Sequence, residues 1–221
     1  MKKQIILTAV VLISAGMLLT TGCKKDDTTA PTITLKGTDV TQDISGTYVE
    51  PGFTATDEED GDLSTSVSVD GTVTNGAVGV YTLRYNVSDA AGNAAAEQKR
   101  TVTVKSDELA GLYDVSSVVT STVAGNSGTW TYNPTTTQSA TAYNKILIDN
   151  FAGLGAGIKV TATVSGSTIT IASQKPNGMQ NPGTVLGTGT ISGKNIVGLA
   201  YKITYDAGGY DDCVDTFTNH Q

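Results

Sequence analysis

The chain has 221 residues, a formal net charge of −7 at neutral pH and 16% charged residues. The acidic balance and the lack of a basic cluster argue against nucleic-acid binding, because phosphate contacts require grouped Lys and Arg side chains. The sole histidine, His220, is the next-to-last residue, so a Ser-His-Asp or Cys-His catalytic arrangement is not expected either.

The first 22 residues have the pattern of a secretory signal. Lys2 and Lys3 precede an apolar run over residues 5–19, which is shorter than the roughly 20 residues that a membrane-spanning helix needs. Cys23 follows small residues where cleavage is expected. We therefore predict a signal peptide over residues 1–22, and its removal with two lysines changes the net charge from −7 to −9.

The sequence LLTTGCKKDD around Cys23 resembles a bacterial lipoprotein signal. In that family the cysteine is lipidated and becomes the mature N-terminus, and each buried acyl methylene contributes about 0.8 kcal/mol of membrane affinity. An ordinary signal peptide with an incidental cysteine is the alternative. The Lys-Asp-Asp sequence that follows is similar to that of Bacteroidota-type surface lipoproteins. The resemblance implies a lipid anchor in the outer membrane, a cell-surface location and a tether over residues 23–30.

Two β domains are expected after the tether. Short alternating runs rich in Thr, Gly, Ser and Val recur along the chain, and no stretch keeps helical periodicity for a dozen residues. The sequence KSDELAG, residues 105–111, interrupts this pattern with charge and a glycine. We therefore predict an all-β fold with a first domain over residues 31–105 and a second over residues 106–221.

The first domain is predicted to be a small sandwich. Its strands are expected over residues 32–36, 52–56, 64–69, 79–89 and 98–104. The motifs PGF, DGDL, GVYTLRY and DAAGN occur in order in this domain and resemble the bacterial surface Ig-like domain. That resemblance implies an immunoglobulin-like β-sandwich that serves as a module or spacer in surface proteins, and it implies no catalysis.

The second domain is predicted to be an antiparallel meander. Its strands are expected over residues 111–119, 129–132, 139–143 and 145–151, in two Ser-Gly hairpins over residues 158–172 and 187–205, and over residues 213–217. About eight such strands favour an up-and-down barrel or a strongly curled sheet. The opening LAGLYDV resembles the first strand of lipocalin-like barrels. The whole domain is similar to uncharacterised C-terminal domains that follow such Ig-like modules in Bacteroidota-type lipoproteins.

The acidic sequence DEEDGD, residues 57–62, is a candidate calcium site. Calcium prefers six to eight oxygen ligands, and we predict them from Asp57, Asp60 and Asp62, with Asp89 approaching from a neighbouring loop. The spacing is not that of an EF-hand. The alternative is a solvated Asx-type turn. No other cofactor is expected.

Candidate ligand-binding residues occur in two segments of the second domain. Trp130 and Tyr132 lie two residues apart, so on a strand they face the same side. Exposed, they would form a platform for a sugar ring; buried, they would fill the core. Tyr210, Asp211 and Asp212 in the sequence YDAGGYDDC would form the rim of a polar site.

Cys213 is the remaining cysteine besides Cys23. If Cys23 is acylated, no intramolecular disulfide can form, and a thiolate metal site lacks ligands. The alternating segment around Cys213 is typical of a buried structural thiol, and a surface thiol used for pairing is the alternative.

Together these features predict a non-catalytic surface lipoprotein that binds a glycan or another extracellular ligand through its C-terminal domain, with the Ig-like domain as a spacer. Two alternatives remain open. One is a structural or interaction subunit that docks on an outer-membrane transporter or surface protein, which an exposed apolar patch would favour. The other is a barrel that encloses a small apolar molecule, which requires a continuous apolar lumen.

Overall fold

The computed structural model describes residues 26–220, so the predicted signal peptide and the lipidation site at Cys23 lie outside the described residues. Within this range the regular structure consists of β-strands and three single 3-10 turns, which confirms the all-β prediction. Residues 26–220 contain no helix with the length and apolar character needed to span a bilayer.

The first domain is a sandwich of two small sheets. Its strands are β1 (Thr32–Leu35), β2 (Val40–Asp43), β3 (Phe53–Asp57), β4 (Gly61–Asp62), β5 (Ser68–Asp70), β6 (Gly79–Asn86) and β7 (Gln98–Lys105). One sheet has the order β1-β3-β4 and the other the order β2-β7-β6-β5. The core between them contains Ile33 and Ala55 from the first sheet and Leu83, Tyr85 and Val102 from the second. Alternation along β6 and β7 places the latter three side chains on one face.

The first domain differs from the prediction in three places. The expected strand over residues 64–69 begins with a 3-10 turn, Ser64–Ser66, and its extended part is β5. The turn forms because Asp62 Oδ1 accepts a hydrogen bond from the Ser64 backbone N–H at 2.9 Å, an Asx-type turn that competes with strand pairing. Two further strands were not predicted: β2, a polar strand that pairs in parallel with β7, and β4, a two-residue strand that pairs with β3.

The second domain is a closed eight-stranded antiparallel barrel. Its strands are β8 (Gly111–Ser121), β9 (Gly128–Tyr132), β10 (Thr135–Gln138), β11 (Lys145–Asp149), β12 (Lys159–Ser165), β13 (Thr168–Gln174), β14 (Gly183–Ser192), β15 (Asn195–Tyr205) and β16 (Tyr210–Asn219). From β10 to β16 each strand pairs with the next, and β16 pairs with β8. Both β9 and β10 pair with β8, so they form one barrel strand interrupted around Pro134.

The predicted strand over residues 139–143 is a loop, and β10 lies just before it. The loop closes on itself because the Ser139 backbone N–H bonds to Lys145 O at 2.9 Å and Gln138 Nε2 bonds to Ala142 O at 3.0 Å. Three consecutive threonines give β10 its strand preference, since β-branched side chains fit a pleated sheet.

Side chains from all parts of the barrel fill much of its lumen. Twenty-one buried residues form one core cluster, and two glycines of β14 provide space for large neighbours. A Cβ at Gly187 would overlap that of Tyr201, and a Cβ at Gly189 would lie 2.7 Å from Leu199 Cα. The glycines therefore allow the β15 side chains Leu199 and Tyr201 to occupy the narrow interior.

The first domain packs against one end of the barrel. Ile44 and Val78 belong to the barrel's core cluster, and Val78 and Gly166 exchange two backbone hydrogen bonds of 2.9 and 2.8 Å. Glu108 accepts a hydrogen bond from the Ser45 backbone N–H at 3.1 Å. Because Gly166 lies just after β12, the loops that connect β8 to β9, β11 to β12, β13 to β14 and β15 to β16 surround the opposite end.

Candidate functional site

The barrel end opposite the domain junction contains a cavity of about 270 Å³, which we call the barrel mouth. Its wall is formed by strands β8, β9, β15 and β16, by the loop between β8 and β9, and by the loop between β11 and β12. The lining residues are Ser117, Val119, Asn126, Trp130, Thr131, Tyr132, Ala152, Gly153, Leu154, Tyr201, Ile203, Tyr205, Asp211 and Cys213. Aromatic rings and uncharged polar groups dominate this wall, and Asp211 supplies a carboxylate.

Trp130 and Tyr132 stand on the same side of β9 and both line the barrel mouth. The Trp130 indole is 52% exposed, and its Nε1–H donates a hydrogen bond of 3.3 Å to Asn126 O. The Tyr132 hydroxyl reaches inward and donates a hydrogen bond to Asp215 Oδ2. The first ring is therefore available to a ligand at the rim, whereas the second forms part of the inner wall.

Asp211 is held in the wall by three uncharged donors. Its side chain is 6% exposed and accepts hydrogen bonds from the Tyr205 hydroxyl at 2.6 Å, the Ser121 hydroxyl and Asn126 Nδ2 at 3.4 Å. These donors come from β15, β8 and the loop after β8. The carboxylate orientation is therefore fixed by three separate segments of the chain.

A second carboxylate, Asp215, lies deeper in the lumen and is fully buried. Burial raises its pKa, because the charged form loses hydration, although the neighbouring hydroxyls of Ser117, Tyr132 and Tyr201 oppose this effect. Asp215 Oδ1 and the hydroxyl of Tyr201 have no hydrogen-bond partner among residues 26–220. The inner part of the barrel therefore contains polar atoms whose hydrogen-bonding capacity is unused.

Tyr210 and Asp212 lie on the outer face of the barrel, away from the barrel mouth. Asp212 pairs with Lys202 Nζ at 3.0 Å, and the same ammonium lies 3.6 Å from the centroid of the Tyr210 ring. Of the five predicted ligand residues, the structure thus brings together Trp130, Tyr132 and Asp211. The other two are separated from them because side chains alternate between the two faces of β16.

Tyr201 and Tyr205 also line the site, although neither was among the residues predicted to bind a ligand. They occupy alternate positions on β15 with Leu199 and Ile203, and all four side chains are buried or half-buried. The alternation identifies one inward face, but it does not distinguish the part of that face that fills the core from the part that lines a cavity. The alternation along β15 therefore predicts that Tyr201 and Tyr205 face inward, but not that they line a cavity.

Cys213 is buried in the wall of the barrel mouth. Burial raises the pKa of its thiol to about 12, so the thiol is protonated at neutral pH and is a poor nucleophile. This environment is that of a structural thiol rather than one used for pairing.

The acidic loop brings together two of the four residues predicted to bind calcium. Carboxylate oxygens of Asp57 and Asp60 lie within 4.8 Å of each other and of Asp27 from the tether. Asp62 instead bonds to Ser64. Calcium binding stays a prediction, and its ligand set would differ from the expected one.

Hydrogen bonds within the acidic loop account for most of its geometry. Asp57 Oδ1 accepts the backbone N–H groups of Glu59 at 2.9 Å and Asp60 at 3.0 Å, as expected for an Asx-type turn. Asp89 accepts hydrogen bonds from the Asn93 side chain and backbone. These contacts provide hydrogen-bond partners for both oxygens of the Asp89 carboxylate without a metal ion.

A shallower groove of about 680 Å³ crosses the outer face of β8 and of β13 to β16. Val118, Leu186 and Val214 are exposed along it, and Val214 lies opposite both Val118 and Ala200 in the sheet register. The groove forms an apolar strip beside the Lys202–Asp212 ion pair.

Comparison with known proteins identifies the first domain. Residues 33–104 match the family described as "Bacterial surface protein, Ig-like domain". No curated protein is similar enough to the chain to match it.

Three solved structures show limited similarity. A lipoprotein from Bacteroides thetaiotaomicron is 20% identical over 84% of this chain and 99% of its own, with a TM-score of 0.36. The M60 catalytic domain with the CBM51-1 and CBM51-2 domains of Clostridium perfringens ZmpB is 20% identical over 55% of this chain and 14% of its own, with a TM-score of 0.29. The structure of the CBM51-2 and INT domains of the same protein is 13% identical over 83% of this chain and 43% of its own, with a TM-score of 0.28. The motifs of residues 33–104 and the family match agree that this part of the chain is a bacterial surface Ig-like domain.

Proposed function

We propose that this protein is a non-catalytic surface lipoprotein whose barrel mouth binds a sugar ring of an extracellular glycan. The observation that carries the proposal is the half-exposed indole of Trp130 at the rim of a cavity that also contains Asp211 and Asn126. Ligand sites typically combine apolar or aromatic walls with a few fixed polar groups. A sugar ring matches this combination, because its C–H faces pack on an aromatic ring while its hydroxyls bond to carboxylate and amide oxygens.

The domain order supports the same role. A lipid on Cys23 would anchor the chain in the outer membrane, and residues 23–30 would connect it to the Ig-like domain. Packing of Ile44 and Val78 on the barrel fixes the junction at one barrel end, whereas the barrel mouth lies at the other. The Ig-like domain then acts as a spacer that holds the mouth away from the membrane.

The other two functions fit the structure less well. Buried side chains fill much of the lumen, which leaves a partly polar mouth among the described residues rather than a continuous apolar cavity. Docking on a transporter or another surface protein stays a prediction: the apolar strip of Val118, Leu186 and Val214 is exposed, but its chemistry specifies no partner.

A glycan-array screen of residues 24–221 tests the proposal. We expect reproducible binding by the wild-type protein and its loss in Trp130→Ala, with circular dichroism showing that the barrel remains folded. Tyr210→Ala is the matched control, because it removes an exposed aromatic ring from the outer face of the same barrel. The absence of binding on a broad array, or equal loss in both variants, would contradict the proposal.

A further inference from the structure

The inward-facing carboxylates of the barrel differ from the outward-facing ones near the same end. Each of three outward-facing carboxylates lies within 3.4 Å of a lysine ammonium: the pairs are Asp149–Lys159, Asp206–Lys175 and Asp212–Lys202. Asp211 and Asp215 are more deeply buried than these, yet neither has an ion-pair partner between residues 26 and 220. Buried charges are normally paired, because they lose hydration. The raised pKa of Asp215 accounts for its lack of a counter-charge, so Asp211 is the inward-facing carboxylate whose unpaired state points to a ligand.

The wall of the barrel mouth contains no Lys, Arg or His among the described residues. The rings of Trp130, Tyr132, Tyr201 and Tyr205 line the same cavity as Asp211 instead. The face of an aromatic ring attracts a cation electrostatically, and cages of such rings are a common way to recognise ammonium groups. Both the carboxylate and the rings therefore favour a positively charged group.

The hydrogen bonds of Asp211 orient its carboxylate but do not neutralise it. Its donors are two hydroxyls, of Tyr205 and Ser121, and one amide, of Asn126. The buried hydroxyl of Tyr201 lines the same cavity and makes no hydrogen bond of ordinary geometry within residues 26–220, although Asp215 and Cys213 lie near it. A bound group with N–H donors would give this oxygen a partner and would also place a positive charge beside Asp211.

We propose that the barrel mouth binds an organic ammonium group, carried either by an amino sugar with a free amino group or by a small alkylamine. The inference rests on the proposed function for the location of the ligand, and it adds the ligand's charge. The amino group sits between the Asp211 carboxylate and the aromatic wall, and in the amino-sugar case the sugar ring extends toward Trp130.

Isothermal titration calorimetry of residues 24–221 tests this inference with two matched oligosaccharides. The trisaccharide of glucosamine and the trisaccharide of N-acetylglucosamine have the same rings, but only the first carries ammonium groups. We expect the glucosamine trisaccharide to bind about tenfold more tightly, the effect of one charge-assisted contact. Equal or tighter binding of the acetylated trisaccharide would overturn the inference while leaving glycan binding intact.

Asp211→Asn removes the charge while keeping an amide oxygen that can accept the hydrogen bond from Tyr205, and the amide NH2 would then face the Ser121 hydroxyl, which can accept from it. We expect it to weaken binding of the glucosamine trisaccharide about tenfold and to change binding of the acetylated one little. Asp206→Asn is the control, because it removes a negative charge from the same barrel end but from an exposed ion pair. An Asp211→Asn variant that keeps the preference for the free amine would overturn the inference.

A third titration with 1,5-diaminopentane separates the two sources of the ammonium group. Binding of this amine without binding of either trisaccharide would support the ammonium site and assign it to an alkylamine rather than to an amino sugar. Failure of both the amine and the glucosamine trisaccharide to bind would overturn the inference. If the glycan array is also negative, the proposed function fails with it.

Discussion

The Tyr205 hydroxyl donates a hydrogen bond of 2.6 Å to Asp211 across the turn between β15 and β16. It connects the last residue of one strand to the second residue of the next and holds the carboxylate in the wall of the barrel mouth. Burial and this contact with a carboxylate both raise the pKa of Tyr205, so the hydroxyl stays protonated as a donor.

Replacement of Tyr205 by Phe is expected to lower the free energy of unfolding by about 1 kcal/mol, the net value of a partly buried hydrogen bond. Urea unfolding followed by circular dichroism measures this change. Tyr210→Phe is the control, since that ring lies on the outer face and its hydroxyl contacts no hydrogen-bond partner within residues 26–220. Equal destabilisation by the two variants would show that the Tyr205–Asp211 bond has no specific effect.

Asp215→Asn should change the pH dependence of stability. Burial raises the pKa of Asp215 in the folded protein, so its contribution to stability is present at low pH and is lost as the pH rises through the folded-state pKa. The amide of the variant cannot ionise, so the variant does not lose stability in this way as the pH rises. The stability of the variant minus that of the wild type is therefore expected to be larger at about pH 7 than at about pH 3.5.

Thermal unfolding of both proteins at the two pH values measures this difference. Other carboxyl groups, such as that of Glu50 with its lowered pKa, are common to both proteins, so their effects cancel in the comparison. A stability difference that does not change with pH would mean that Asp215 titrates alike in the folded and unfolded chains.

Much of the site could be predicted from alternation along single strands. The pattern of β9 placed Trp130 and Tyr132 on one face, and both line the barrel mouth. The same logic failed for Tyr210 and Asp212 because the predicted strand covers residues 213–217 and leaves both of them outside it. Strand β16 in fact begins at Tyr210, so alternation separates these two residues from the inward-facing Asp211.

Other features depend on contacts between distant segments, which local periodicity does not contain. Closure of the barrel requires β16 to pair with β8. The two strands are far apart in sequence, since Ser121 and Asp211, which are in contact, are separated by 90 residues. Likewise, Asp27 approaches Asp57 because the tether runs past the acidic loop, where Asn93 Nδ2 donates to Asp27 O at 3.1 Å. Sequence patterns predicted the strands but not these pairings.

A buried ion pair in the Ig-like domain provides a test of its core. Arg100 is 1% exposed; its Nη1 lies 2.9 Å from Glu50 Oε1, and its Nη2 donates to Lys36 O at 2.8 Å. Glu50→Gln would leave the guanidinium buried without a counter-charge. We expect it to lower the free energy of unfolding by about 3 kcal/mol, at the low end for a broken buried pair because Glu50 is partly exposed.

Chemical denaturation measures this loss, with Glu97→Gln as the matched control. Glu97 pairs with Arg84 at 2.7 Å and with Lys99 at 3.3 Å on the surface, where such pairs contribute about 0–1 kcal/mol. Similar losses in the two variants would contradict a special role for the buried pair.

The domain junction should couple the stability of the two domains. Ile44 belongs to the Ig-like domain but is 2% exposed and packs in the barrel's core cluster. Ile44→Ala is expected to lower the free energy of unfolding by about 2 kcal/mol, the cost of a buried large-to-small substitution that leaves a cavity. Trp130 is the single tryptophan and lies in the barrel, so its fluorescence reports the unfolding of the barrel alone.

A lower midpoint in the Trp130 fluorescence of Ile44→Ala would show that a residue of the spacer stabilises the binding domain. Val49→Ala is the control, because that side chain is 77% exposed in the same domain and its truncation should change the midpoint little. If Ile44→Ala left the fluorescence midpoint unchanged while circular dichroism showed earlier unfolding of the Ig-like domain, the two domains would unfold independently. The spacer would then position the barrel mouth without stabilising it.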